Sequence, residues 1–220
     1  VDLEDAIIPQ HKDISRSKTL EAFKTASVPK GIETLIRIND INSEDGFKDI
    51  EALSSASNLP SGLMLPKIKT AEEIQKLNNR FIDANININL HVIIETNQGL
   101  KNVWEIAHSC SSIKSLLFGG VDMSADLGCL GDWTSLLYAR SRVVHAAAGA
   151  GIDSIDVPFL DLDNMEGLRE EALLSKNLGF SGKGSIHPKQ IEVLNSIFTP
   201  SDAEVSYAKK IIKAFEEASD

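Results

Sequence analysis

Cysteine is scarce in this sequence: 220 residues carry two, Cys110 and Cys129. Neither lies at the spacing of a zinc-ligand pair or a redox dithiol, so a disulfide-stapled scaffold and a thiolate metal site lose their support. A reducing, cytoplasmic setting is the expectation that follows. Positive charge is also in short supply, with 22 Lys and Arg against 32 Asp and Glu and a net charge of -10. Neither nucleic acid nor an anionic membrane is therefore an expected partner, although a local basic pocket for an anionic metabolite remains compatible. No apolar run approaches the ~20 residues of a membrane span, and no basic, apolar leader is read at the start. Two glycine signatures are missing as well. No Gly-x-Gly-x-x-Gly turn follows a strand and no Gly-Lys-Ser phosphate loop occurs, which removes the main support for dinucleotide and NTPase readings.

What is present is an alternation. Strand-like apolar stretches at 1–5, 35–39, 63–67, 91–96, 116–122, 153–159 and 182–187 are each followed by a helical pattern. The helices are expected at 14–26, 44–57, after a Thr70–Glu73 capping box, at 100–109 and at 133–148, where Gly149 and Gly151 break the pattern. A further helix is capped by Asp163 and Glu166 and ends near Gly179; another begins at Pro188, and the last, 202–218, follows a Ser201–Glu204 box. Repeated strand–helix units make an α/β fold, and the missing nucleotide loops favour a (β/α)8 barrel over an open doubly wound sheet. Residues 1–220 are expected to form one such domain. Seven units are visible, and the chain opens at Val1, without Met, inside a strand-like stretch. The first strand–helix unit of the barrel is therefore expected to be absent from this chain.

Barrel active sites gather at the C-terminal ends of the strands. Those ends read Glu4 and Asp5, Arg37 and Asn39, Lys67, Glu95, Asp122, Asp156 and His187. In 116–122 the apolar strand opens through Gly119 and Gly120 onto Asp122, and strand alternation sets Leu116, Phe118, Gly120 and Asp122 on one face. A carboxylate at a buried strand tip requires compensation. Glu95 and Asp122 end consecutive strands, and an all-oxygen pair suits Mg2+, or Mn2+, better than zinc. Glu4 and Asp5 are candidates to hold water around that ion, or else to cap the following loop. Arg37 offers a planar fork for a substrate carboxylate or enolate. Structural alternatives stand beside each: Glu95 in a salt bridge with Lys67 or Arg37, Arg37 neutralising its acidic neighbours, and His187 capping a helix. Asp126 reads as a loop or capping residue, and Trp104 and Trp133 as packing. His11, His91, His108 and His145 show no pairing and read as surface or core residues.

The ordered motifs VDLEDAIIP with Lys12 and Arg16, LIRIN, LMLPK, VIIET, LLFGGVDMSADLG and GFSGKGSIHPKQI resemble those of citrate lyase beta-subunit-like proteins. These stand with the malyl-CoA and citramalyl-CoA lyases in the HpcH/HpaI aldolase superfamily. The resemblance covers essentially the whole chain. It implies a Mg2+-dependent carbon–carbon lyase acting on acyl-CoA thioesters, built on a (β/α)8 barrel and usually trimeric. It further implies Glu95 and Asp122 as metal ligands, Arg37 as the substrate-binding arginine, and Glu4 with Asp5 as acids around the metal site. With CoA as the expected carrier, Lys12, Arg16 and Lys67 become candidates for its phosphates, and a short 2-oxo or 2-hydroxy acid becomes the other partner. Two features of the family are not found: an apolar strand resembling RSLLFVPG ahead of DLEDA, and a C-terminal aspartate that reaches a neighbouring subunit's site. Three other readings stay open: an aldolase on free 2-oxo acids, a thioesterase or malate-synthase-like enzyme, and a non-catalytic acyl-CoA-binding subunit.

Overall fold

The computed structural model describes residues 1–25 and 30–218, which fall into two compact units, Val1–Val157 and Pro158–Asp220. In the first unit five strands, β1 (Leu35–Arg37), β2 (Gly62–Leu65), β3 (Asn89–Ile94), β4 (Ile113–Phe118) and β5 (Asp153–Asp156), pair in sequence order. Every pairing is parallel, with Arg37 opposite Met64, His91 opposite Ser115 and Leu117 opposite Ile155. Parallel strands wound strictly in chain order form a half-barrel of the α/β kind. Its outer face is dry: Ile36, Leu63, Leu65, Val92, Ile94 and Leu116 are almost completely buried. The strands read as near-continuous apolar runs because both faces are covered.

Helices α1 (Lys12–Thr25), α2 (Glu44–Ser54) and α3 (Ala71–Asp83) alternate with these strands. The expected end of α1 at Ala26 falls outside the described residues. Local signals set several boundaries where the sequence places them. Thr70 and Glu73 close a reciprocal capping box on α3. Asp132 Oδ1 accepts from the Ser135 N–H at 2.9 Å at the start of α7 (Trp133–Ala150), which ends two residues later than expected at left-handed Gly151, φ 67°. The helix expected at 100–109 is instead two short ones, α4 (Asn97–Lys101) and α5 (Val103–Ala107). They part at Asn102, whose side chain donates to the Lys69 carbonyl at 2.8 Å.

Three strand expectations that begin in this unit are corrected. Residues 1–5 make only a single parallel bridge, Asp2 to Arg37. The Asp2 carboxylate accepts from the backbone of Glu4 (2.9 Å) and Ala6 (3.3 Å), which curls the chain away from the sheet. The strand expected at 116–122 stops at Phe118, because helix α6 (Gly120–Leu127) begins at once. The strand expected at 153–159 stops at Asp156.

Asp156 is 2 % exposed and ion-paired to Arg140 of α7, Nε to Oδ1 at 2.9 Å. It is a core residue, not a member of the strand-end cluster. The Arg140 guanidinium lies over the rings of Phe118 and Trp133, at 5.0 and 4.6 Å from their centroids.

In the second unit, α8 (Met165–Leu178) packs on α9 (Ile191–Phe198) through Leu168, Ala172, Leu194 and Ile197. Asn164, one residue beyond the expected Asp163, caps α8 by accepting from the Gly167 N–H at 2.9 Å. Strand β6 is only Gly182–Lys183, much shorter than the expected 182–187. Ser201 and Glu204 form the expected box ahead of α10 (Asp202–Ala218). Among the described residues no helix is long and apolar enough to cross a membrane.

Candidate active site

The site is assembled from the chain start and the C-terminal ends of β1 to β4. Arg37 closes β1, and its fork meets Asp2, Nε to Oδ1 at 2.9 Å and Nη2 to Oδ2 at 2.5 Å. Its third nitrogen, Nη1, reaches Glu4 Oε2 at 2.9 Å and Asp5 Oδ2 at 3.4 Å. Burial works to deprotonate Arg37, but Asp2, Glu4 and Asp5 outweigh it and hold the guanidinium above its ordinary range. Arg37 is thus a charged hub for three acids and remains partly exposed.

At the end of β2 the backbone of Lys67 is left-handed, φ 57°. Its N–H donates to Glu95 Oε1 at 2.8 Å, and its ammonium donates to Glu4 Oε1 at 2.6 Å. The bond to Glu4 is the main reason the Lys67 pKa is raised. Glu4 is 5 % exposed; burial raises its pKa even though Lys67 and Arg37 pull the other way.

Glu95 follows β3 and is 4 % exposed. Burial pushes its pKa up to about 7; the charges of Asp122 and Glu4 add to that rise, and the Lys67 N–H offsets part of it. Asp122, from the next unit, stands close enough for its charge to act on Glu95, but as an exposed residue in the first turn of α6. The strand alternation expected to aim it does not operate: a helical turn carries it. Gly119 permits the approach, since a Cβ there would lie 2.7 Å from Glu95 Oε2 and closer still to its Cβ. Asp126, also on α6, accepts from the Asn97 N–H at 2.5 Å, which ties α6 to the start of α4.

The structure brings together Arg37, Glu4, Asp5, Lys67, Glu95 and Asp122, but Lys12 and Arg16 are committed elsewhere. The Lys12 ammonium donates to the carbonyls of Leu3 and Glu4, both at 2.8 Å, and to Asn39 Oδ1 at 2.5 Å. An ammonium has three protons, so none is left for a phosphate. Arg16 is 8 % exposed and pairs with Asp13, Asp45 and Asp49. Both are scaffold residues. His187 accepts from the Lys189 N–H at 3.1 Å and caps a short 3-10 turn, Pro188–Gln190. His91 is buried, with Nδ1 2.8 Å from Ser115 Oγ.

Two residues escape a reading of strand ends. Asp2 holds Arg37, and Asp49 accepts from Arg16 Nε at 2.6 Å and from Asn39 N and Nδ2 at 2.9 and 2.7 Å. A signal for Asp49 exists: with Gly46, Ile50 and Leu53 it lies on the buried stripe of α2, where an unpaired carboxylate would be prohibitive.

Among the described residues no group of three His, Cys, Asp or Glu side chains is poised to hold a metal. Two carboxylates with water and substrate oxygens nevertheless suit a hard divalent ion. Burial, with the charge of Asp122 adding to it, raises the proton affinity of Glu95, and a carboxylate so placed is one that a cation would compensate.

A parallel half-barrel whose strand ends gather acids around an arginine and a lysine defines an α/β enzyme with an oxygen-donor site. More particularly, the chain belongs to the HpcH/HpaI aldolase/citrate lyase family, whose model matches residues 1–188. It is 33% identical to the citrate lyase subunit beta of Leuconostoc mesenteroides subsp. cremoris, over 99% of the chain and 74% of that protein. Mitochondrial citramalyl-CoA lyase of Rattus norvegicus is 32% identical over 99% of the chain and 69% of its own length. A solved structure, CitE of Mycobacterium tuberculosis in complex with magnesium, acetoacetate and coenzyme A, superposes with a TM-score of 0.79 and 27% identity. The match covers 99% of this chain and 78% of that one. These relatives are named lyases, and the chain is an enzyme of that class.

Proposed function

We propose that the chain is a Mg2+-dependent carbon–carbon lyase that cleaves or forms a short 3-hydroxyacyl-CoA of the citramalyl-, malyl- or citryl-CoA type. The observation that carries this reading is the juxtaposition of buried Glu95, just after β3, with Asp122, in the helical turn that follows β4, and the link of Arg37 and Lys67 to the same cluster through Glu4. The half-barrel is taken to belong to a (β/α)8 barrel, and the enzyme to a homo-oligomer, with a trimer as the form the family resemblance implies. Cys110 and Cys129 are unpaired, which supports a reducing, cytoplasmic compartment.

Glu95 and Asp122 would hold the ion, which when bound supplies Lewis acidity to the oxygens of a 2-oxo or 2-hydroxy acid. Arg37, kept charged by its three acidic neighbours, presents its remaining protons to the substrate carboxylate. Glu4, clamped between Arg37 and Lys67, fixes both cations relative to Glu95. Asp5, 61% exposed at its side chain, is open to water. In the cleavage direction a base takes the hydroxyl proton, the oxygen becomes the carbonyl of the released 2-oxo acid as the carbon–carbon electron pair moves into the thioester, and the enolate so formed takes up a proton to give the acyl-CoA.

Single replacement of Glu95 and Asp122 by Ala tests the assignment. Loss of Mg2+ binding and of turnover is expected in each, and retention of both would sink it.

One observation favours a second reading. The protons of Lys12 are spent internally and Arg16 is buried among carboxylates, leaving Lys67 as the remaining candidate proposed for the CoA phosphates. An aldolase acting on free 2-oxo acids needs no such group. Turnover of thioesters against the corresponding free acids separates the two.

A further inference from the structure

Among the described residues only two that are not glycine have positive φ, Lys67 at 57° and Asn85 at 56°. Asparagine tolerates that region; lysine has no local hydrogen bond to offset the clash of its Cβ. Such a conformation persists when the surroundings over-determine it, and around Lys67 they do. Ile68 is fully buried, the Lys69 N–H donates to Glu73 Oε2 at 2.7 Å, and the Lys69 carbonyl is held by Asn102. The strained residue touches both buried acids of the site, Glu95 through its N–H and Glu4 through its ammonium. The two oxygens of Glu95 are thereby distinguished. Oε1 is taken by the Lys67 N–H, while Oε2 lies against Gly119, at the turn into the helix that carries Asp122.

We infer that Lys67 is a positioning residue whose left-handed backbone, rather than its charge, orients the Glu95 carboxylate so that Oε2 is presented to the metal position. The inference rests on the metal reading above and extends it to a residue that is not itself a ligand of the ion. If residue 67 relaxed to an extended conformation, its N–H would turn away, and the Glu95 carboxylate would lose the bond that fixes its rotation. The ammonium has a separate task, neutralising Glu4.

The two tasks separate by substitution. Lys67→Gly removes the ammonium but adopts positive φ without strain, whereas Lys67→Val removes the ammonium and, being β-branched, resists positive φ. Mg2+ is titrated calorimetrically into the full chain, with thermal melts in chelator as the control for folding. Lys67→Gly is expected to bind within about threefold of the parent, Lys67→Asn likewise, and Lys67→Val at least about tenfold more weakly. Lys67→Ala, which meets a smaller steric penalty, stands in wherever the Val variant fails to fold and is expected between the two. Equal weakening in Gly and Val overturns the backbone role, and so does parental affinity in Val or Ala with only the melting temperature lowered. Undiminished binding by Glu95→Gln in the same titration overturns the metal reading itself, whatever Lys67 does.

Discussion

Arg37 and Asp2, thirty-five residues apart, meet fork to fork at the first strand end, with hydrogen bonds of 2.9 and 2.5 Å. The contact occupies the bidentate edge that a free arginine would offer a substrate, and it anchors the start of the chain beside the site. Asp2→Asn removes the negative charge and one of the two acceptors. It is expected to destabilise the fold by about 1–2 kcal/mol, since bonds to charged groups contribute roughly that much. Urea titration of the variant measures it. Arg37→Lys should lose a similar amount because an ammonium cannot make the parallel pair.

The raised pKa of Glu95 makes metal binding and stability respond to pH in opposite senses. In the metal-free fold it titrates near 7, against an ordinary 4.5. The unfolded chain therefore gives up this proton at lower pH, and the group's contribution to stability falls as pH rises from about 4.5 to 7 and is flat above. The full loss is about 3 kcal/mol, since each tenfold difference in proton affinity between the folded and unfolded chain is worth roughly 1.4 kcal/mol. Glu95→Gln should lose that share of the pH dependence in chelator and keep what the raised pKa of Glu4 contributes. Mg2+ affinity should rise about tenfold per pH unit below pH 7 and level off above it, with about one proton released per ion. Calorimetry in buffers of different ionisation enthalpy counts that proton.

Gly119→Ala drives a methyl group to within 2.7 Å of Glu95 Oε2, and nearer still to its Cβ. The carboxylate must move, and with it the bond to Lys67. Expected are a stability loss of about 1–3 kcal/mol, as in other overpacked sites, and a loss of Mg2+ affinity larger than that of Lys67→Gly. A structure of the variant showing Glu95 undisturbed would contradict this.

Asp49 lies under the site, between Arg16 and Asn39, and is 1 % exposed. Asp49→Ala leaves Arg16 with Asp13 and Asp45 but strips the buried Arg16 Nε and the Asn39 N and Nδ2 of their acceptor, and is expected to cost about 1–3 kcal/mol by chemical denaturation. Lys12→Met should also destabilise, yet leave the KM for a thioester substrate unchanged if the ammonium never meets phosphate. A large rise in that KM, with stability intact, would return Lys12 to the binding surface.

The parts legible in the sequence are those governed by near neighbours along the chain. The Thr70–Glu73 and Ser201–Glu204 boxes, the glycine ends of α7 and α8, and the existence and order of the apolar strands β1 to β4 depend on spacings of a few residues, and they appear as the pattern predicts, although β4 starts and stops earlier than expected. Strand ends pick out Arg37, Lys67, Glu95 and Asp122 because parallel winding gathers those ends on one side. The misreadings share a cause. Strand alternation aims Asp122 inward although Gly119 and Gly120 permit an immediate helix, and the strand-end reading counts Asp156 with the site although that residue lies in the core with Arg140. Lys12 and Arg16 look available because their acceptors are backbone carbonyls and acids that reach them only once the chain is folded.

The sequence by itself determined that this is a parallel α/β protein with acids and an arginine at its strand ends, since periodicity and capping are local and act before any packing. Only the tertiary structure decided which charges are spent and which are poised. Whether a lysine meets a carbonyl, a carboxylate or water depends on contacts across tens of residues, and burial, which lifts Glu95 to near neutrality, belongs to the packed fold and to no single stretch of the chain.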